Sequence, residues 1–197
     1  MKPASIRICL AMSLLTMAVL ACNINLPSNP QPPMATFVPS QNDASAFEKN
    51  FNDAISQAQQ TNTFNVTVTQ QQLSSWVALN AGVYAKQQGY DWPLKQAQVG
   101  LDNGKITLYG VVSAQNVPDT PAEVIFTPSI DANGEIAVKV DSGQFGIVGI
   151  PAALLDSLTK AIKDALSSQL QQIQGRYRLS SLVVASGTLN VAGQITP

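Results

Sequence analysis

Two short turns constrain the fold more than any other feature of the sequence. Asp102-Asn103-Gly104-Lys105 stands between Val99 and Leu101 on one side and Ile106, Leu108, Gly110 and Val112 on the other. Asp131-Ala132-Asn133-Gly134 is approached by Val124, Phe126 and Ile130 and left by Ile136, Val138 and Val140. Asn-Gly supplies the positive φ that a tight turn needs, and apolar residues at every second position on both sides make each turn a hairpin. The middle of the chain is therefore expected to be an antiparallel meander. Pro121 and Pro128 each remove a backbone donor, so the strand between them is expected at an edge or bulged.

Helical patterns flank the meander. In residues 43–60, Phe47, Phe51, Ala54, Ile55 and Ala58 recur at helical spacing, with Asp43 placed to cap the start. Phe64, Val66 and Val68 then alternate as a strand, and Thr69 caps a helix of about residues 70–87 that sets Leu73, Trp76, Val77, Ala81 and Tyr84 on one side. After the meander, Pro151 opens a long helix ending at Gly175. Its apolar face, which includes Leu154, Leu158, Ile162, Leu166 and Ile173, spans an arc of about 160° and must be covered by something. Two strands, near residues 179–184 and 188–195, turn at Ala185-Ser186-Gly187. The expected fold class is α+β: a curved antiparallel sheet, a meander of hairpins, packed around a long helix, with N-terminal helices. Residues 43–197 are expected to form a single domain.

The N-terminus is made of different material. Lys2 and Arg7 precede a nearly uncharged apolar run over residues 8–20, which meets the small residue Ala21 and stops at Cys22. That is the pattern of a secretory signal peptide over residues 1–21. As a helix the run reaches only about 20 Å, short of a roughly 30 Å hydrocarbon core. Val19-Leu20-Ala21-Cys22 resembles the bacterial lipobox, and the resemblance implies cleavage before Cys22 and a diacylglyceryl thioether on it. The alternative is a plain signal peptide with a coincident cysteine. Cys9, the other cysteine, would leave with the signal, so the mature chain would have no internal disulfide and would rest on its core alone. Residues 22–42 hold five of the 12 prolines and no glycine. They are expected to form a semi-extended tether reaching up to roughly 60 Å, or else a strap packed along the domain. The expected address is the outer face of a bacterial membrane.

Composition limits the chemistry. The chain has no histidine, which removes the commonest general base and metal ligand and the usual hydrolase triad. With Cys22 carrying lipid, thiol catalysis and cysteine zinc sites go as well. Asp131-Ala132-Asn133-Gly134-Glu135 looks briefly like a calcium loop, but Ile136 stands where the sharp-turn glycine belongs and Ser142 where the bidentate glutamate belongs. Turn chemistry is the better account. Loss of Lys2 and Arg7 leaves nine basic residues against twelve acidic ones, none of the basic residues clustered, so neither nucleic acid nor anionic lipid heads are indicated as partners. No cofactor, no metal and no enzyme activity are expected.

Binding is the remaining reading. Trp76, Tyr84, Tyr90 and Trp92 suit the half-wet lip of a groove, or equally a core with polar tips at the surface. Phe145, Ile147 and their glycine neighbours suit a gate to that groove, or a tight entry into the helix that follows. The run Phe64-Asn65-Val66-Thr67-Val68-Thr69, then Leu73-Ser74-Ser75-Trp76, then Gly104-Lys105-Ile106-Thr107-Leu108-Tyr109-Gly110 resembles lipoproteins of the YpmS type. These in turn are similar to LmeA-type and TULIP-like lipid-binding domains. The resemblance implies a curved sheet around a long helix and an apolar ligand held between them. The candidate ligand-binding residues are Trp76, Tyr84, Trp92, Phe145, Ile147, Leu158, Ile162 and Leu166. The alternative function is a non-catalytic scaffold or protein-interaction module of the cell envelope.

Overall fold

The computed structural model describes residues 28–87, 94–114, 117–150 and 176–196. Cys22, Tyr90, Trp92 and the expected long helix over residues 151–175 lie outside the described residues. The elements are α1 (Gln41–Thr61), β1 (Thr63–Thr69), α2 (Gln70–Gln87), β2 (Leu94–Asp102), β3 (Lys105–Ala114), β4 (Val117–Ile130), β5 (Ile136–Phe145), β6 (Val148–Gly149), β7 (Arg176–Ala185) and β8 (Thr188–Thr196). The fold is α+β, with two antiparallel sheets where a single curved one was expected. β2-β3-β4-β5-β6 form one sheet and β1-β8-β7 the other. The last hairpin does not extend the meander, because β8 pairs along its length with β1.

Local chemistry sets the boundaries. α1 begins one turn earlier than Asp43 implies: Ser40 is its cap, and its hydroxyl accepts from Asp43 N at 3.3 Å. Asp43 lies in the first turn, where its charge faces the positive end of the helix dipole. α2 starts with a reciprocal capping box. Gln72 N donates to Thr69 Oγ1 at 3.2 Å, and Thr69 N donates to Gln72 Oε1 at 3.0 Å. The β2–β3 hairpin turns on Asn103 and Gly104 at φ 47° and 79°, the doubly positive pair that an Asn-Gly turn supplies. In the β4–β5 turn the Asp131 carboxylate accepts from Asn133 N and Glu135 N at 2.8 and 2.9 Å. β4 is not an edge strand; it lies between β3 and β5. The irregularity falls on its neighbour instead: the β4–β5 register shifts between Ile125 and Phe126 and leaves Asp141 as the extra residue on β5. The Thr127 hydroxyl donates to Asp141 at 2.6 Å and holds its carboxyl below the ordinary value.

β2 is an edge of its sheet, and an open edge exposes backbone donors and acceptors. Here α2 and the β7–β8 turn close it. Ser74, fully buried, accepts from Val99 N at 2.8 Å and donates to Val99 O at 3.0 Å. Leu101 N donates to Gln70 Oε1 at 2.8 Å, and Leu101 O accepts from Gly187 N at 2.8 Å. Gly187 O accepts from Gln70 N, Val184 O accepts from Gly104 N, and the Ser186 hydroxyl donates to Asp102. The two sheets meet at this junction. Val99, Leu101 and Val184 form a buried cluster there, with Leu73, Val77 and Leu189 packed against it.

The proline-rich stretch takes the strap arrangement from Ser28 onward. Pro30 is buried, and Pro33 packs over Gly100, where an added Cβ would come within 3.0 Å of it. Met34 N donates to Gln98 Oε1 at 3.1 Å, and Ser40 N donates to Ser75 Oγ at 3.2 Å. Among the described residues, no helix is long and apolar enough to cross a membrane.

Removing the Ser74 hydroxyl leaves the Val99 N–H and C=O buried without partners, each worth roughly 1–3 kcal/mol. Ser74→Ala is expected to lower the urea midpoint by an amount corresponding to about 2–3 kcal/mol with an unchanged slope.

Candidate functional site

An apolar cavity of about 660 Å³ opens between α1 and the face of the three-stranded sheet. Its roof is the apolar stripe of α1: Phe47, Phe51, Ala54, Ile55 and Ala58. Ala54 and Ala58 hold the helix to the sheet without filling the space, since neither side chain extends beyond Cβ. The floor is written in the two-residue period of the strands. Phe64, Val66 and Val68 come from β1, Leu189, Val191 and Ile195 from β8, and Tyr177 and Leu179 from β7. Leu73 and Trp76 of α2 close one side, and Ile136 of β5 reaches in from the other sheet. Ala54 of the roof meets Val66 and Val68 of the floor in a buried cluster.

Polar groups among these residues are few. Glu48 and Asn52 lie on α1, and Tyr177 contributes a phenol. The Trp76 indole N–H donates to Glu48 Oε1 at 3.1 Å, and Asn80 Nδ2 reaches the same oxygen at 3.5 Å. The Trp76 ring tilts against Phe47, with centroids 5.3 Å apart. Both Glu48 partners are neutral donors, one the Trp76 indole and one the Asn80 amide. The Tyr177 hydroxyl is pushed above its ordinary value of 10.0 by burial first, then by the nearby charges of Glu135 and Asp131. The turn carrying those two residues is fixed to β7 by Leu179 N donating to Gly134 O at 2.7 Å. A cavity of this size and lining can bury a small apolar molecule and orient one polar end of it. No group of three or more potential metal ligands lies together among the described residues.

The structure brings together only part of the residue set expected from sequence. Trp76 lines the cavity. Phe145 and Ile147 lie elsewhere, on the exposed tip of the β5–β6 hairpin, and are not among the cavity residues. Tyr84 lies on α2, but its side chain falls outside the described residues, as do Trp92, Leu158, Ile162 and Leu166. The α1 and β1 residues are visible in the sequence as apolar patterns, at helical spacing and in strand alternation. Their signal was the pairing of bulky Phe47 and Phe51 with small Ala54 and Ala58 on one helix face. Tyr177 had no sequence signal of its own.

No family model matches the chain, and neither a curated protein nor a solved structure matches it. The likeness to YpmS-type and LmeA-type proteins therefore stands on the sequence pattern alone.

Folding favours the protonated form of Tyr177. Its contribution to stability is full below pH 10.0 and is lost as pH rises through the raised value. Tyrosinate absorbance is expected to include a late-titrating step that is lost in Tyr177→Phe, whose stability should fall less steeply above pH 10.0.

Proposed function

We propose that this chain is an exported lipoprotein, anchored through Cys22 to the outer face of a bacterial membrane, whose folded part holds a lipid or another hydrophobic molecule. The observation that carries the binding half is the cavity of about 660 Å³, with walls almost wholly apolar and a carboxylate and a phenol at its margin. A volume within the range of small-ligand sites favours a bound molecule over simple loose packing, since ordinary cores leave few voids larger than a water. The anchor half rests on the Val19-Leu20-Ala21-Cys22 pattern. The fuller architecture, a curved sheet packed around a long helix over residues 151–175, belongs to the same reading and rests on the apolar periodicity there. The role proposed is binding, without catalysis.

Native mass spectrometry of the mature protein is expected to show an additional apolar mass that is removed by delipidation and restored by a fluorescent alkyl probe. Ile55→Trp places a larger side chain in the cavity and is expected to weaken the probe by about tenfold, or ~1.4 kcal/mol. A wild-type protein that takes up no probe, or a variant that binds equally well, would overturn the reading and leave the envelope interaction module in its place.

A further inference from the structure

The β5–β6 hairpin carries an apolar tip that the cavity does not use. Phe145 is 37 % exposed, Ile147 62 % and Val148 64 %, three apolar residues around one turn. The tip is braced. Gly146 N donates to Pro121 O at 2.7 Å, Ile150 N donates to Gly143 O at 2.8 Å, and Gln144 Nε2 donates to Gly146 O at 2.8 Å. A water-facing turn gains nothing from such residues; neighbouring apolar side chains held out from a fold mark a surface that meets something apolar.

The strap indicates what that is. Gln144 Nε2 also donates to Ser28 O at 2.6 Å, which fixes the start of the described chain beside the tip. Ser28 is only six residues beyond Cys22. At 3.3–3.6 Å per residue, a lipid-bearing Cys22 lies within about 20 Å of this point, however the intervening chain runs. We propose that the tip of Phe145, Ile147 and Val148 is a membrane-contact element, which inserts beside the lipid anchor into the interface of a zwitterionic bilayer. Charge supports the choice of lipid. Among the described residues, Glu123 stands opposite Gln144 on β4, and Lys95, on β2, is paired with Asp119. Insertion is therefore apolar rather than electrostatic, and it presents one fixed face of the domain to the membrane. The inference rests on lipidation of Cys22 in the reading above, but not on occupation of the cavity.

The test uses the full chain, expressed so that it is processed and acylated. Cys9 lies in the leader and Cys22 carries the lipid, so Ile147→Cys supplies a single free thiol for an environment-sensitive fluorophore. Val83→Cys, at a position 60 % exposed on α2, is the control. In phosphatidylcholine vesicles the probe at position 147 is expected to shift to shorter wavelength and to lose intensity to lipid-borne quenchers, at low and high salt alike. The probe at position 83 should stay as it is in water. A chain that floats with the vesicles while both probes stay wet, or while both are quenched equally, overturns the membrane-contact tip and leaves the anchor standing. A response at 147 that needs anionic lipid and vanishes in salt overturns apolar insertion. A chain with no lipid on Cys22 that fails to float overturns the anchor and the tip together.

Discussion

The hydroxyl of one serine closes the edge on which this architecture depends. β2 ends its sheet, and its outward-facing backbone would otherwise be an unpaired strand edge. Ser74 meets both groups of Val99, using its one proton and one of its lone pairs, while Gln70 and Gly187 serve Leu101. A helix and a turn thus act as a substitute strand. They end the five-stranded sheet and bind it at this corner to the three-stranded one, which also meets the β4–β5 turn where Leu179 N donates to Gly134 O. Leu73 and Leu189 pack on that corner and also line the cavity, so the closed edge and the hollow share side chains.

Joining the sheets at a corner leaves the face of β1-β8-β7 to be covered by α1. The helix carries small buried side chains at Ala54 and Ala58 and large ones at Phe47 and Phe51. Close packing usually removes a hollow of this kind. Here the strands offer mostly branched residues with Phe64 and Tyr177 among them, and the helix alternates small with large, so the gap is not filled. The charges near the hollow, on Glu48 and on the Asp131–Glu135 turn, stand at its margins rather than within it.

Much of the local structure was legible in the sequence. The Asn103-Gly104 turn, the Thr69 cap and the boundaries of α2 follow from short-range chemistry, and each holds. The sheet arrangement was not legible, because the pairing of Thr63–Thr69 with Thr188–Thr196 joins ends of the chain that no local pattern connects. Pro121 and Pro128 marked β4 as an edge or a bulged strand, yet it sits inside the sheet and the extra residue, Asp141, is on β5. The cavity was half visible. Its wall residues form clear apolar stripes, but whether two stripes touch or stand apart depends on helix-to-sheet distance, which the sequence does not encode locally. Trp76 stands out in the sequence for its amphipathic ring, whereas nothing in the sequence pairs it with Glu48, 28 residues earlier.

The strap has a mechanical meaning. Its attachments lie in series along the chain: Ser28 to Gln144, Pro33 over Gly100, Met34 to Gln98, and Ser40 to Ser75. A pull on the N-terminal end loads them one after another, as in peeling tape, rather than all at once. The strap's links thus stand between such a pull and α1 with the hollow beneath it.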